Sequence, residues 1–517
     1  KQHDMPYVDL DKVQITSDIL KLIPKELIQK YNVLPLGENN GKLRVLIADP
    51  MDLDMMDTLR FRLSRELDYA LGSSMKIRAF VQRKTDEVRS SIDQTAHELE
   101  AAGHMIEAEV KRAEARGGVE DDEGPVIRLV NLVIDEAVKM KASDIHIEPM
   151  ANRVRIRYRT DGNCMERDNI PKNMQAPLIA RFKILAGMDM AERRLPQDGR
   201  IKRTIENNDI DFRVSALPGY HGESVVLRIL DPGSTNRGIQ SLGFGGEDYE
   251  RFQQLIKRPN GMFLVTGPTG SGKTTTLYSA LQELNRPDKK IITAEDPVEY
   301  NFAGINQCQV NTEIGLTFEK ILRSMLRQSP NIILIGEIRD GIVADIAIQA
   351  ALTGHLVFST LHTNDAPSAV TRLIDMGVKP FLVASSIHAI LAQRLVRVIC
   401  KECKAIDNNP NPQYLRLLGI KQEILKDKPV FKGKGCARCH GTGYRGRIGI
   451  FELMVMNNEL RELTFNISPA NVLRKAAKAA GMATLLDDSK KKVFEGLTTP
   501  EEVAQTTQEE GLLVEQE

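Results

Sequence analysis

The stretch FLVTGPTGSGKTTTLYSAL (263–281) limits what this chain can fold into more than any other. An apolar run of strand character enters a glycine-rich loop, and a run of helical character leaves it. Gly267, Gly272, Lys273 and Thr274 fit the pattern GxxxxGK[ST]. The glycines let the backbone wrap closely, so Gly267, Pro268, Thr269, Gly270, Ser271, Gly272, Lys273, Thr274 and Thr275 are predicted to form a phosphate cradle. Lys273 is expected to reach the β- and γ-phosphates, and the Thr274 hydroxyl to bind Mg²⁺. The loop therefore predicts ATP as ligand.

Around it, from about residue 241, short apolar strands alternate with helices: GMFLVTG (261–267), KIITAED (290–296), NIILIGE (331–337) and HLVFSTLH (355–362). This is the βαβ rhythm of a mainly parallel sheet covered by helices. Hydrolysis also needs carboxylates at neighbouring strand ends. NIILIGEIRD supplies Glu337, and ITAEDPVEY supplies Glu295, Asp296 and Glu299. One carboxylate is expected to hold Mg²⁺ through water, with Glu337 favoured, and another to orient the attacking water, with Glu295 favoured. Asp296 also suits a cap. His355 and His362 flank LVFSTL, where strand alternation puts them on opposite faces and so in different roles. Arg323 and Arg327, four apart, are expected on one helix face. Arg194, Arg200, Arg213 and Arg228 lie further upstream. Any of these cations suits neutralising a γ-phosphate, and a surface ion pair suits each one taken singly.

The remaining chain divides by pattern. With 517 residues it is long enough for about three to five domains. Residues 1–82 read as a small mixed domain, with a strand in KLRVLIADP (42–50) and a helix in DLDMMDTLRFRL (52–63). Residues 83–124, charged and poor in apolar anchors, read as a helical linker ending in the acidic joint GGVEDDEG. A second domain spans 125–232. In it VIRLVNLVIDEAVKM reads as an amphipathic helix, and RVRIRYRT (153–160) alternates Arg153, Arg155, Arg157 and Arg159 against Val154, Ile156 and Tyr158. That ladder fits a solvated face, or a basic surface toward a partner or nucleotide. The nucleotide domain covers 241–399, a cysteine module 400–445, and a helical region with a charged tail 446–517.

Six cysteines remain. Cys164 and Cys308 stand alone and read as small core residues. Cys400-x-x-Cys403 and Cys436-x-x-Cys439 read as four thiolate ligands of a closed, structural Zn²⁺ site. CARCH alone matches a haem-attachment sequence, but the second CxxC pair argues for zinc.

Composition excludes several classes. Hydrophobic residues are 42% and charged residues 27%, the balance of a globular protein. Lys plus Arg equals Asp plus Glu at 70 each, which argues against sequence-blind nucleic-acid binding. Trp is absent and aromatics are 5%, which weakens a base-stacking role. No apolar run reaches the length of about 18 residues that a membrane-spanning helix needs. The polar start KQHDMPYVDLDKV lacks a signal-peptide core, so the expected location is cytoplasmic. Lys1 in place of Met suggests a trimmed chain or fragment.

Several blocks together resemble one family, the secretion ATPases that drive type II secretion and type IV pilus assembly. They are ASDIHIEP (142–149), RLPQDGR (194–200), the phosphate loop, ITAEDPVEY, LRQSPNIILIGEIRD, LTGHLVFSTLHTNDAPSAVTRLIDMGV and the paired cysteines. PYVDLDKVQITSDILKLIPKELIQKYNVLPLG also looks like the family's N-terminal docking domain, with its first part missing. The resemblance covers about 1–510 and is densest over 125–455. It implies a multidomain α/β chain: a RecA-like P-loop core, a PAS-like α+β domain, a small N-terminal α+β domain and a zinc-bound module. It further implies a homohexamer with ATP held between the PAS-like and RecA-like domains. Glu295 and its neighbours then match the acidic box, Glu337 an atypical Walker B glutamate, and His355 to His362 the histidine box. Arg200, Arg213 and Arg228 match positions that bring positive charge near nucleotide. The four cysteines match the module of assembly rather than retraction ATPases. Ser329 departs from the family's usual Asp.

The expected function is that of a Mg²⁺-dependent motor ATPase, peripheral at the inner face of the bacterial inner membrane. Its expected partners are a membrane platform protein and a cytoplasmic-domain adaptor. It would power assembly of pilin-like filaments, in type II secretion or pilus extension. DMGVKPFLVASSIHAILAQRLVR leans toward secretion and GINQCQVN toward pili, with secretion slightly favoured. A nucleic-acid translocase or a conjugation-type ATPase is the alternative, and a non-catalytic binding module would not keep the acidic residues.

Overall fold

The computed structural model describes residues 124–230 and 238–508, together with 33–39, 42–49, 66–73 and single positions between 6 and 77. The linker expected over 83–124 therefore falls almost wholly outside the described residues, as does the end of the charged tail. By compactness the chain divides into two units, residues 1–133 with 170–181, and 134–169 with 182–517.

In the first unit β1 (Leu34–Asn39), β2 (Lys42–Ile47) and β3 (Leu67–Leu71) form a sheet in that order. β1 and β2 make an antiparallel hairpin, and β3 joins parallel to β2. Leu43, Val45 and Ile47 are buried. Met55, Met56, Leu59 and Leu63 are helical as their spacing predicts, and the Asp52 carboxylate accepts from the Met55 N–H at 3.0 Å as a cap.

After helix α1 (Pro125–Lys139) comes a six-stranded sheet. Its strands are β4 (Asp144–Pro149), β5 (Arg153–Thr160), β6 (Asn163–Pro171), β7 (Gln197–Ile205), β8 (Asn208–Leu217) and β9 (Ser224–Leu230), with α2 (Gln175–Leu185) between β6 and β7. The strand order is β6-β5-β4-β9-β8-β7. Alternation decides its faces. Val154, Ile156, Tyr158, Phe212, Val214 and Leu227 are buried, whereas the arginines of β5 lie on the opposite face. Those arginines do not stand free. Arg155 and Arg157 both bond to Glu148, at 3.0 and 2.6 Å, and Arg159 pairs with Asp144 at 3.4 Å. Cys164 is half-buried rather than core, 3.7 Å from His146 Nε2.

Helix α3 (Gly246–Ile256) precedes the largest sheet. Its elements are β10 (Gly261–Thr266), α4 (Lys273–Leu284), β11 (Ile291–Glu295), β12 (Asn306–Gln309), α5 (Phe318–Met325), β13 (Ile332–Ile335), α6 (Gly341–Leu352), β14 (Leu356–Leu361), α7 (Ala366–Asp375), α8 (Pro380–Ser386) and β15 (Ile387–Ile399). After the cysteine segment with β16 (Lys404–Ile406), α9 (Pro412–Leu417) and β17 (Phe431–Gly433), the chain returns as β18 (Tyr444–Val455). The order is β12-β11-β13-β14-β10-β15-β18, all neighbours parallel except β15 and β18. Every residue of β10, β11, β13 and β14 is buried, because both sheet faces are covered. Met262 and Leu264 pack into the core that includes α6 and α7, while Phe263 and Val265 pack with Leu277 and Leu281 of α4.

Among the described residues four helices follow: α10 (Asn458–Phe465), α11 (Ala470–Ala479), α12 (Leu485–Phe494) and α13 (Pro500–Gln508). The region after residue 446 is thus not helical from its start. β18, with GIFELM (449–454) buried, runs antiparallel to β15 and completes the sheet first.

Candidate active site and four-cysteine centre

Strand register builds the site. Thr266 pairs with Leu361, Ile335 with Ser359, and Ala294 with Ile335. The residues that follow these positions emerge at one edge: Gly267 onward, His362, Gly336 with Glu337, and Glu295 with Asp296. In an open α/β sheet this carboxyl edge is where ligands bind.

The phosphate loop follows β10, and α4 starts from it with Gly272 in the left-handed region, φ 87°. A side chain at Gly267, where φ is 151°, would stand 2.5 Å from the Gln393 carbonyl. Only glycine fits there. Gln393, buried in β15, braces the loop from behind. It donates to the Ser271 carbonyl at 2.8 Å and accepts from the Thr276 hydroxyl at 2.7 Å. Buried Arg394 next to it donates to the carbonyls of Gln393 and Asn364, both at 2.8 Å. Lys273 folds back on the loop and donates to Gly267 O at 2.7 Å and Pro268 O at 3.0 Å. Burial pulls its ammonium down to about 8, against the pull of Glu337. The Ser271 hydroxyl is buried without a hydrogen-bond partner among the described residues. A cation and an unmet hydroxyl in one glycine cradle suit a bound phosphate chain.

Glu337 stands at the end of β13 within electrostatic reach of Lys273. Arg339 Nε donates to it at 2.6 Å, and His362 Nε2 lies 3.1 Å from its other oxygen. Burial alone would raise the Glu337 carboxyl, but the bonds from Arg339 and His362 outweigh it and hold the group below the usual carboxylate range. Arg339 also reaches Asp296 at 3.4 Å. His355, by contrast, sits at the opposite end of β14 and contacts Ala350 O and Thr353. The two histidines are separated by the length of the strand, which matters more than the face each occupies.

Glu295, at the end of β11 where the acidic loop starts, is only 4% exposed, and three side-chain donors reach its carboxylate. It accepts from the Tyr278 hydroxyl, from Thr293 Oγ1 at 2.5 Å and from Gln307 Nε2 at 3.1 Å. A carboxylate with all these donors is poorly placed to orient water. Glu299 is 29% exposed at its side chain and pairs with Arg213 at 2.8 Å. Arg213 also donates to Val298 O at 2.5 Å.

Arg213 belongs to a row across the six-stranded sheet. Arg159, Asp144, Arg228, Arg213 and Arg200 face one another on successive strands. Of the three arginines singled out there, Arg213 meets the acidic loop. Arg228 pairs with Asp144 at 3.2 Å, and Arg200 is exposed one strand beyond Arg213. Arg323 bonds Glu319 at 3.0 Å, and Arg327 donates to Arg323 O at 2.8 Å, so both serve their own helix end. Ser329 takes a left-handed φ of 49° in the turn before β13.

The Sγ atoms of Cys400, Cys403, Cys436 and Cys439 lie within 4.8 Å of one another, with neighbouring sulfurs 3.6, 3.7 and 3.8 Å apart. A tetrahedral ion with ~2.3 Å metal–sulfur bonds needs sulfurs roughly 3.8 Å apart. Backbone N–H groups of Cys436 and Gly443 point at Cys439 Sγ, at 3.2 and 3.3 Å, and favour the thiolate. The donor set fits zinc.

Tyr278, Gln307, Gln393, Arg394 and Arg339 escape sequence reasoning. The sequence does signal Gln393 and Arg394, as polar residues in the otherwise apolar run AILAQRLV (389–396). It gives no comparable sign for the others.

A parallel sheet with a phosphate loop at its carboxyl edge, and a glutamate–histidine pair beside the loop lysine, defines a P-loop ATPase. The sequence matches the family described as type II/IV secretion system protein over residues 119–505, and the MshEN domain over residues 3–91. The type IV pilus assembly ATPase PilB of Myxococcus xanthus is 43% identical over 508 residues, 98% of this chain and 90% of that one. The type II secretion system ATPase E of Vibrio cholerae is 43% identical over 497 residues, 95% of this chain and 97% of that one. The chain therefore belongs to the type II/IV secretion ATPase family. In fold, the solved ATPase DotB of Legionella pneumophila is similar with a TM-score of 0.54 at 21% identity, covering 75% of this chain and 97% of that one. Among the described residues no helix is long and apolar enough to cross a membrane.

Proposed function

We propose that this chain is the motor ATPase of a filament-assembly machine and works as a homohexamer at the cytoplasmic face of a bacterial inner membrane. ATP-driven domain closure moves a membrane platform protein, which draws pilin-like subunits into a growing filament. A cytoplasmic-domain adaptor docks the motor. In this reading residues 241–399 are the RecA-like core, 125–232 the PAS-like domain, 1–82 the docking domain and 400–445 a zinc-stapled module. The observation that carries it is the grouping of Lys273, Glu337 and His362 at one sheet edge.

The phosphates of ATP lie in the cradle from Gly267 to Thr275, where Lys273 exchanges its loop carbonyls for phosphate oxygens and Ser271 finds its acceptor. Thr274 and Glu337 would hold Mg²⁺, which would supply neutralisation of phosphate charge. His362 stays on Glu337 and fixes the orientation of that carboxylate. Glu299, half-buried and paired with Arg213, orients the attacking water in place of Glu295. Arg213, freed from Glu299, then meets the charge that builds on the γ-phosphate, with Arg200 and Arg228 behind it in the same row. Catalysis comes from positioning and charge neutralisation.

Lys273→Ala in the source bacterium, scored for surface pili by electron microscopy and for secreted enzymes in the medium, tests the proposal. Lost pili with normal secretion assigns the pilus branch, and the converse assigns type II secretion. Loss of neither would overturn the assembly-motor reading.

A further inference from the structure

The polar knot around Glu295 has no role in binding phosphate, yet it joins two parts that hydrolysis needs in fixed relation. Tyr278 lies on α4, the helix that carries Lys273 and Thr274 at its start. Its hydroxyl donates to Glu295 Oε2 and, at 3.4 Å, accepts from the backbone N–H of Glu299. Glu295 Oε1 is held by Thr293 Oγ1 at 2.5 Å and by Gln307 Nε2 at 3.1 Å. Gln307, on edge strand β12, also spans the loop between β11 and β12. Its amide nitrogen reaches Tyr300 O at 2.9 Å, and its oxygen accepts from Phe302 N at 2.8 Å.

We infer that Tyr278, Glu295 and Gln307 are positioning residues that tie the phosphate-loop helix to the loop bearing Glu299, so that metal ligand and water-orienting carboxylate keep one register. Four features favour this over simple core filling. A buried hydroxyl and a buried carboxylate are costly unless each is fully bonded, and an apolar pair would pack here without that demand. The Tyr278 ring already has its packing, edge-on to Phe302 at 4.9 Å, so the hydroxyl is not needed to seat it. Burial and the neighbouring carboxylate push the phenol well above its ordinary range, so it remains a donor at every working pH. The bonds also end on the backbone of the Glu299 loop at three places, Glu299, Tyr300 and Phe302. A displacement of a reacting group by about 1 Å costs on the order of 100-fold in rate, and these bonds oppose such a shift.

The inference rests on Glu299 as the water-orienting group, and the test separates the two. Steady-state hydrolysis and fluorescent-nucleotide affinity are measured on the full chain for Tyr278→Phe, Gln307→Leu, Glu299→Gln and the double variant Tyr278→Phe/Glu299→Gln. The expected result is a kcat reduced about tenfold or more in Tyr278→Phe and in Gln307→Leu, with nucleotide affinity within about twofold of the parent. In the Glu299→Gln background the tyrosine change adds less than about twofold, because the group it positions is gone. Should Gln307→Leu fail to fold, Tyr278→Phe, which removes one oxygen, carries the test. A parental kcat in Tyr278→Phe, or equal fold losses in both backgrounds, would overturn the inference while Glu299→Gln keeps a reduced but measurable kcat. A parental kcat in Glu299→Gln would overturn the reading on which it rests, and the inference with it.

Discussion

The seven-stranded and six-stranded sheets put charge to opposite uses. The strands of the first that lead to the site are buried on both faces, so their functional side chains emerge past the strand ends: Lys273, Glu337 and His362. The second has one open face, and its charges run across it in register as Arg159, Asp144, Arg228, Arg213 and Arg200. At an edge, a few groups converge on one point and can act on one atom. On a face, the same residue types neutralise each other pairwise, as Arg155 and Arg157 do on Glu148, and only the member that reaches the acidic loop is available for chemistry. Position relative to the sheet, more than the number of charges, separates chemistry from solvation.

That contrast can be broken most sharply within the arginine row. Arg213→Ala is expected to lower ATP turnover by roughly 100- to 1000-fold, the scale of losing one preorganised group that stabilises transition-state charge. Arg157→Ala, on the same face but clamped to Glu148, should stay within about twofold of the parent in the same assay, since it acts only on its own sheet. Similar losses in both would erase the distinction between the arginine that reaches the acidic loop and those neutralised on the open face.

The cysteine centre sharpens the comparison from another side, because four protein ligands leave no open position for chemistry. Metal analysis of the purified chain should find one zinc per chain, and Cys403→Ser should remove it. The expected consequence is a drop of several degrees in the melting temperature of that segment, with binding energy lost from folding. Turnover should recover most of its parental value at temperatures where the segment stays folded. A zinc-free parent would refute the assignment of the centre.

The smallest effect concerns pH. Lys273 is held down to about 8 in the free site, against a usual value of 10.5. Bound phosphates favour its charged form, so binding above pH 8 takes up a proton. Nucleotide affinity should therefore be flat below pH 8 and weaken between about pH 8 and 9.5, by up to about tenfold per unit. Titration of fluorescent-nucleotide binding across that range checks the sign, and an affinity that rises with pH would contradict it.

How far the sequence reveals all this follows the same contrast. Continuous apolar runs make strand ends legible, so the phosphate loop, Glu337 and His362 are found where the pattern puts them. Alternation makes the faces of RVRIRYRT legible, but not the acids that meet its arginines, because those come from a strand earlier in the chain. Glu295 and Glu299 lie in one motif and carry the same group. Nothing in ITAEDPVEY tells that Glu295 turns inward to Tyr278 and Gln307, since those partners lie on other elements. His355 looks like the twin of His362 until register sets it at the far end of β14. β18 hides because the cysteine segment runs straight into it and the elements after it are helical.

The central claim is that ATP is hydrolysed at the carboxyl edge of the seven-stranded sheet around Glu337. Its most direct test is turnover and nucleotide affinity of full-length Glu337→Gln, measured together with Mg²⁺ present. The account predicts turnover reduced by about 100-fold or more with nucleotide still bound, because the cradle and Lys273 remain while the carboxylate at the metal is lost. Parental turnover in that variant would contradict it.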